Sequence, residues 1–333
     1  MMEFIKYEIQ RDDTLESIAE KYGRTVNELL DFHNSQSLLT QQIHSAYIPM
    51  HIDTILLSSE YKKKDSLRDI NAYKIISKNE YFNFKNLVYS TRNEIVVEIE
   101  KLNNNKYAIS QKSKTIECSS PHYDNYLVLM SLLDRPFEYV VLIIDDFGQI
   151  KKIGNQNEIE EQWSIVQKEL SGVTDDKEML DKLIKDGAPV YTDSLSHIKA
   201  NLQYNLLYPG KFENNGVNKI NEGPVVKLYS SLFSGSKILL KFKNRIIEHN
   251  NDILTLENKS FLEKSNIETL RELYNVSFRE LLGNDFNYNL SLISNYYIKN
   301  NLIDSCIVDF IENINDTIVA KSSYEINKIK AYG

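Results

Sequence analysis

Residues 7–50 read YEIQRDDTLESIAEKYGRTVNELLDFHNSQSLLTQQIHSAYIPM, and this stretch decides the fold of the N-terminal part of the chain. Tyr7 and Ile9 alternate with polar neighbours, as a half-buried strand does. Asp12-Asp13-Thr14 then turns the chain. Asp13 is placed to cap a helix, because its carboxylate can accept the free backbone N–H groups of a first turn. Leu15, Ile18, Ala19 and Tyr22 follow at helical spacing, and Gly23 suits a left-handed stop. Thr25 caps a second helix, with Glu28 three residues on to complete a capping box. Val26, Leu29, Leu30 and Phe32 give that helix its apolar side. A polar loop leads to Ala46-Tyr47-Ile48-Pro49, read as a short second strand ended by proline. The order is strand, helix, helix, strand in under fifty residues.

This arrangement resembles a LysM domain motif by motif. Asp13-Thr14-Leu15, Ser17-Ile18-Ala19, Tyr22-Gly23, Val26, Leu29, Asn34 and Ile48-Pro49 stand where that family has its recurring residues. The resemblance implies binding of glycans that contain N-acetylglucosamine, of the peptidoglycan or chitin type. It implies a groove between the first strand–helix loop and the second helix–strand loop. Carried onto this sequence, the groove residues are Asp13, Thr14 and Leu15 on one side. Leu39, Thr40, Gln41, Gln42, Ile43 and His44 form the other, with Tyr47 as a stacking surface. The sequence departs from the family at two places. Asp12 stands at a usual glycine, and Gln42-Ile43-His44 replaces a usual Pro-Gly-Gln. Glycine lets a backbone approach a ligand closely, so Asp12 and Ile43 are expected to recharge or narrow the groove.

The whole chain has 333 residues, enough for two or three domains. With 42% hydrophobic and 26% charged residues it has the composition of a globular protein. A net charge of −8, with no Lys/Arg cluster beyond Lys62-Lys63-Lys64, argues against a nucleic-acid partner. Cys118 and Cys306, far apart in sequence, leave a disulfide open but unsupported, and the favoured reading is two buried free thiols. Met1 to Lys6 lacks the basic region and apolar run of a secretory leader, and no window is apolar enough to span a membrane. The expectation is a chain cytoplasmic as synthesised, or exported by a dedicated machine, with no membrane insertion.

The remaining residues read as an α+β domain, an antiparallel meander with helices on one side, with a subdivision near 208 as an option. Residues 1–52 form the first module, 53–74 a linker and 75–333 the larger domain. The alternations in Asn86–Glu100 and Tyr107–Ile116 predict a hairpin, as do Tyr139–Ile144 and Gln149–Ile153 around Gly148. Ile159, Trp163, Val166 and Leu170 lie on one face of a helix over 157–170, which makes the single tryptophan a core residue. Further helices are expected over 175–185, 194–207 and 267–282. Strands are expected over 224–233, 237–248, 252–256, 286–298, 302–314 and 317–330, with Asn300-Asn301 and Asn315-Asp316 as turns.

Candidate catalytic groups are sparse. Cys118 with His122 invites comparison with cell-wall cysteine peptidases, but a nucleophilic cysteine needs a base and an orienting third group. His197 lies in an expected helix, and no orienting partner can be named for His249. Asp146-Phe147-Gly148 reads as a hairpin turn, since no other kinase segment accompanies it. Glu160-Glu161 and Asp175-Asp176 are adjacent pairs at helix starts and do not converge on one proton or metal. His33, His44 and His51 lack ligand spacing. The expectation is a protein without catalytic residues, cofactor or metal. Its N-terminal module binds glycan and its larger domain makes contacts. The alternative is a structural part of a phage-tail-like contractile injection assembly, with the module used for protein–protein contact; a cysteine peptidase at Cys118 is the remote third.

Overall fold

A computed structural model describes residues 4–10, 13–45, 47–49, 51–61, 69–103, 105–120, 124–173, 177–210, 217, 219–250, 253–300 and 302–331. The chain divides into two compact units, residues 1–69 and 70–333.

The first unit holds β1 (Phe4–Glu8), α1 (Leu15–Lys21), α2 (Val26–Gln36), a 3-10 turn (Leu39–Gln41) and β2 (Thr54–Ser58). β1 and β2 pair antiparallel, with Phe4 opposite Ser58 and Glu8 opposite Thr54. The closing strand is therefore not Ala46–Pro49. Ala46 lies outside the described residues, and Tyr47 to Pro49 carry no strand. Pro49 has no N–H for a ladder. Its carbonyl instead accepts the Ile52 N–H at 2.9 Å, in the turn that leads into β2. Leu15, Ile18, Ala19, Leu29, Ile43, Ile52, Ile55 and Leu57 form the buried core. Tyr61 closes one side: its hydroxyl donates to the Glu28 carbonyl at 3.2 Å and its ring lies 5.6 Å from that of Phe32. Residues 54–61, which the sequence reading assigns to the linker, are thus part of the module. The basic stretch 62–68 lies outside the described residues.

The second unit is built on β3 (Ile70–Asn83), β4 (Asn86–Lys101), β5 (Lys106–Cys118), β6 (Tyr139–Ile144), β7 (Ile150–Ile153), β8 (Ile220–Tyr229), β9 (Lys237–Asn250), β10 (Ile253–Leu262), β11 (Tyr288–Lys299), β12 (Leu302–Ile314) and β13 (Ile318–Ile329). These eleven strands form one antiparallel sheet, in the order 7-6-5-4-3-13-12-11-10-9-8. The halves meet where β13 pairs with β3, Ile329 opposite Ala72 and Ile318 opposite Asn83. β3 was not expected from sequence as a strand. Its C-terminal half is only half-buried, so its alternation is weak, while the turn Phe84-Lys85 that follows it has positive φ at both residues. Across seven strands one rung of residues, Ile95, Ile75, Ile326, Cys306, Tyr296, Leu256 and Ile246, is buried.

Between the strands lie α3 (Asp124–Asp134), α4 (Gln156–Leu170), α5 (Lys177–Thr192), α6 (Ser194–Ala200), α7 (Leu202–Leu207), α8 (Ile267–Ser277) and α9 (Arg279–Leu282). Their apolar faces join the sheet in one continuous core. Trp163 is buried and stacks on Tyr191 at 4.2 Å between centroids. α5 runs seven residues past its expected end, through Gly187 and Pro189. A Cβ at Gly187 would come within 3.1 Å of the Trp163 ring, so this glycine serves packing and does not stop the helix. The helix expected over 194–207 is two. Asn201 takes extended backbone between them, ending α6, and its side chain accepts the Gln203 N–H to cap α7. The helix expected over 267–282 likewise breaks at Phe278. Among the described residues no helix is long and apolar enough to cross a membrane.

One buried charge braces the sheet. Glu312 on β12 accepts the Ser230 hydroxyl at 2.6 Å, the Ser231 N–H at 2.5 Å and the Tyr288 hydroxyl at 2.9 Å. It thereby fixes the turn between β8 and β9 from three strands away. Burial raises its pKa above the usual carboxylate value, against the pull of those donors.

Candidate functional site

The two loops expected to form the groove are each held by side chains of the module. In the first, the helix cap is Thr14 and not Asp13. Thr14 Oγ1 accepts the Ser17 N–H at 3.1 Å, and Ser17 Oγ accepts the Thr14 N–H at 2.9 Å, a reciprocal capping box. The Asp13 carboxylate is taken by two other donors, the Tyr7 hydroxyl at 2.7 Å and the Gln10 N–H at 2.8 Å. Lys21 Nζ donates to the same Tyr7 oxygen at 2.8 Å, and the Tyr22 ring packs edge-on at 6.0 Å. Burial, and then the bond to Asp13, push the Tyr7 hydroxyl pKa up, so it stays a donor at ordinary pH. Asp12 lies outside the described residues.

In the second loop, Asn34 grips one residue from both sides. Its Oδ1 accepts the Ile43 N–H at 2.8 Å, and its Nδ2 donates to the Ile43 carbonyl at 2.9 Å. Gln42 Nε2 returns a bond to the Asn34 carbonyl at 3.0 Å. His33, buried in α2, ties the 3-10 turn to the sheet. Its Nδ1 accepts the Leu56 N–H at 3.0 Å, which leaves the proton on Nε2, 2.9 Å from the Gln41 carbonyl. Burial lowers its pKa, which favours this neutral form.

The side chains of Leu15 and Ile43, both 1% exposed, belong to one core cluster, so the two loops are joined beneath the surface. Neither side chain can reach a ligand, and the backbone N–H and carbonyl of Ile43 are already held by Asn34. Ile43 does not fill the groove with its side chain, as its place at a usual glycine suggested. Leu39 is 86% exposed and Tyr47 73%; Thr40, Gln41 and His44 are exposed and Gln42 is half-buried. His44 Nε2 lies 3.2 Å from Gln42 Oε1. The loop thus presents polar side chains around an apolar tip of Leu38 and Leu39. The bracing roles of His33 and Asn34 were not read from sequence. His33 falls four residues after Leu29, on the inward face of α2, and that spacing is the available signal.

The other candidates separate. Cys118 ends β5, half-buried, and His122 lies outside the described residues, as do Asp175-Asp176. His197 is stacked on Phe137 at 4.9 Å, with Nδ1 3.1 Å from the Tyr229 hydroxyl, and burial pushes its pKa down to about 4. Cys306 is buried and its thiol is pushed up to about 12. Both cysteines are free. Asp145 Oδ1 accepts the Phe147 and Gln149 N–H groups, which closes a turn with Gly148 at φ 77°. Glu160 and Glu161 are exposed on α4.

Residues 7–32 match the family model of the LysM domain. The N-terminal region therefore carries a LysM domain, and the match ends within α2, before the loop that Asn34 holds. No curated protein matches the chain. Among solved structures, one of lipovitellin and its lipid–protein interactions is similar, with 9% identity and a TM-score of 0.41. The similarity covers 78% of this chain and 25% of that one.

Proposed function

We propose that the LysM domain binds a glycan containing N-acetylglucosamine, of peptidoglycan or chitin type, and that the eleven-stranded unit serves as an interaction domain. The observation that carries this reading is the family match over residues 7–32. Two further features support it. The capping box at Thr14 and the grip of Asn34 on Ile43 hold both loops rigid before any ligand arrives, which reduces the ordering cost of binding. The exposed Thr40, Gln41, His44 and Tyr47, with half-buried Gln42 among them, supply donors, acceptors and one aromatic face for acetamido groups and sugar rings. Titration of the protein with the pentamer of N-acetylglucosamine tests the reading. We expect saturable binding tighter than about 1 mM, weakened at least about tenfold by Thr40→Arg or Tyr47→Ala. No binding, or binding indifferent to both substitutions, refutes it. A second reading, protein–protein contact within a larger assembly, draws on the exposed apolar pair Leu38 and Leu39. Under it Leu39→Asp abolishes partner capture and leaves the pentamer without effect.

A further inference from the structure

The eleven-stranded unit holds an open cavity of about 520 Å³ between α6, α7, the segment Tyr208-Pro209 and strands β8 to β11. That volume falls among small-molecule sites, which span about 300–1,000 Å³. One wall is the sheet. There Asn244, Asn258 and Ser294 stand directly opposite one another on β9, β10 and β11, a polar rung next to the apolar one through Ile246, Leu256 and Tyr296. Asn258 is 5% exposed and Ser294 1%. The Oδ1 atoms of Asn244 and Asn258 and the Tyr208 hydroxyl are buried with no hydrogen-bond partner. Native interiors rarely leave such atoms unpaired; eight side-chain atoms are so placed among the described residues, and three of them belong to residues that line this one cavity.

On the helix side Ala200, Leu202 and Leu206 give an apolar lining, and the sheet adds Val226 and Phe242 to it. Charge around the cavity has one sign. Lys199, Lys227 and Lys237 line it, and no Asp or Glu does among the described residues, although the chain as a whole carries 47 acidic against 39 basic residues. Lys199 and Lys227 are exposed and mark the mouth. Lys237 Nζ donates to Ser196 Oγ at 2.8 Å, which steadies it there.

We propose that this cavity binds a small amphipathic organic anion: an apolar body against the helices, hydroxyl or N–H donors to Asn244 and Asn258, and an acidic group at the lysines. Nothing in this assignment depends on the LysM domain. Two neighbouring amide oxygens ask for donors, an apolar wall asks for carbon, and a mouth with lysines and no carboxylate selects against cations.

The test is calorimetric titration of the full chain with 3-hydroxydecanoate, whose flexible carbon chain can follow the outline of the cavity. Decanoate, which lacks the donor, and 1,3-decanediol, which lacks the charge, are the controls. We expect 3-hydroxydecanoate to bind tighter than about 100 μM and each control about tenfold more weakly. Asn258→Leu should erase the difference between 3-hydroxydecanoate and decanoate. The pair Lys199→Gln and Lys227→Gln should erase its advantage over the diol. If Asn258→Leu does not fold, Val226→Trp, which fills the cavity from β8, must abolish binding with the sheet intact by circular dichroism. Absence of binding by all three compounds at about 1 mM overturns the proposal, as does a preference order unchanged in these variants.

Discussion

His33 shows how one side chain can set the acid limit of a small domain. Its Nδ1 must stay unprotonated to accept the Leu56 N–H, and burial holds its folded pKa below the ordinary 6.5. As pH falls the unfolded chain takes up this proton first, so the contribution of His33 is fully present above 6.5 and is lost as pH falls from there toward the lowered folded value. Urea midpoints of residues 1–69 should therefore be lower at about pH 5 than at about pH 7.5, and His33→Gln should flatten that difference. Equal midpoints in the unsubstituted domain would mean that the ring does not titrate with folding. Asn34→Ala should cost the same domain about 1–3 kcal/mol, because it leaves the Ile43 N–H and carbonyl to find other partners. In the larger unit, Glu312→Ala leaves the Ser231 N–H and the Tyr288 hydroxyl without their acceptor and should cost roughly 2–4 kcal/mol. Glu312→Gln, which keeps an acceptor oxygen, should cost less; denaturant unfolding of the two variants side by side checks the order.

At the scale of elements, what the sequence revealed and what it hid follow one division. Caps and helical spacing are local, and they located α1, α2 and α4 to within a residue or two. Asp13 and Thr14 both have cap chemistry, and only the nearness of the Tyr7 hydroxyl, a tertiary fact, draws the carboxylate away. Strand partners are set at a distance, so Thr54–Ser58 passed for linker. Gly187 and Pro189 carry stop signals that packing on Trp163 overrides. The residues expected to form the groove were legible as a loop, but which of them point inward was not, as Ile43 shows. A direct consequence concerns fragments. Residues 1–69 should fold alone, whereas 1–52 should not, because β1 then lacks its partner and the core loses Ile55 and Leu57. Circular dichroism and heteronuclear NMR of both fragments test this; a dispersed spectrum from 1–52 would show that β2 is dispensable.

For the whole molecule, the decisive feature is that the larger unit has one sheet and one core from β7 to β8. The option of a boundary near 208, open in the sequence, cuts through a cluster that contains Leu206, Leu207, Leu228 and Val140 together. Fragments 70–207 and 208–333 should thus show no cooperative melting alone and should recover it when mixed. Two independent transitions that together reproduce the intact unit would show separate domains.

The seam between β3 and β13 also sets a timetable. β3 is made early, yet the strand that covers its open side, Ile318–Ile329, comes last in the unit. At about 5–20 residues per second, a ribosome needs roughly ten to fifty seconds to travel from one to the other. For that interval a fourteen-residue strand offers bare N–H and C=O groups to any passing chain. Its Lys74, Lys78 and Glu80 are charges of the kind that make such an edge a poor template for strangers. Nascent chains halted before residue 318 should be the ones that chaperones hold, and release should follow once β13 has cleared the exit tunnel.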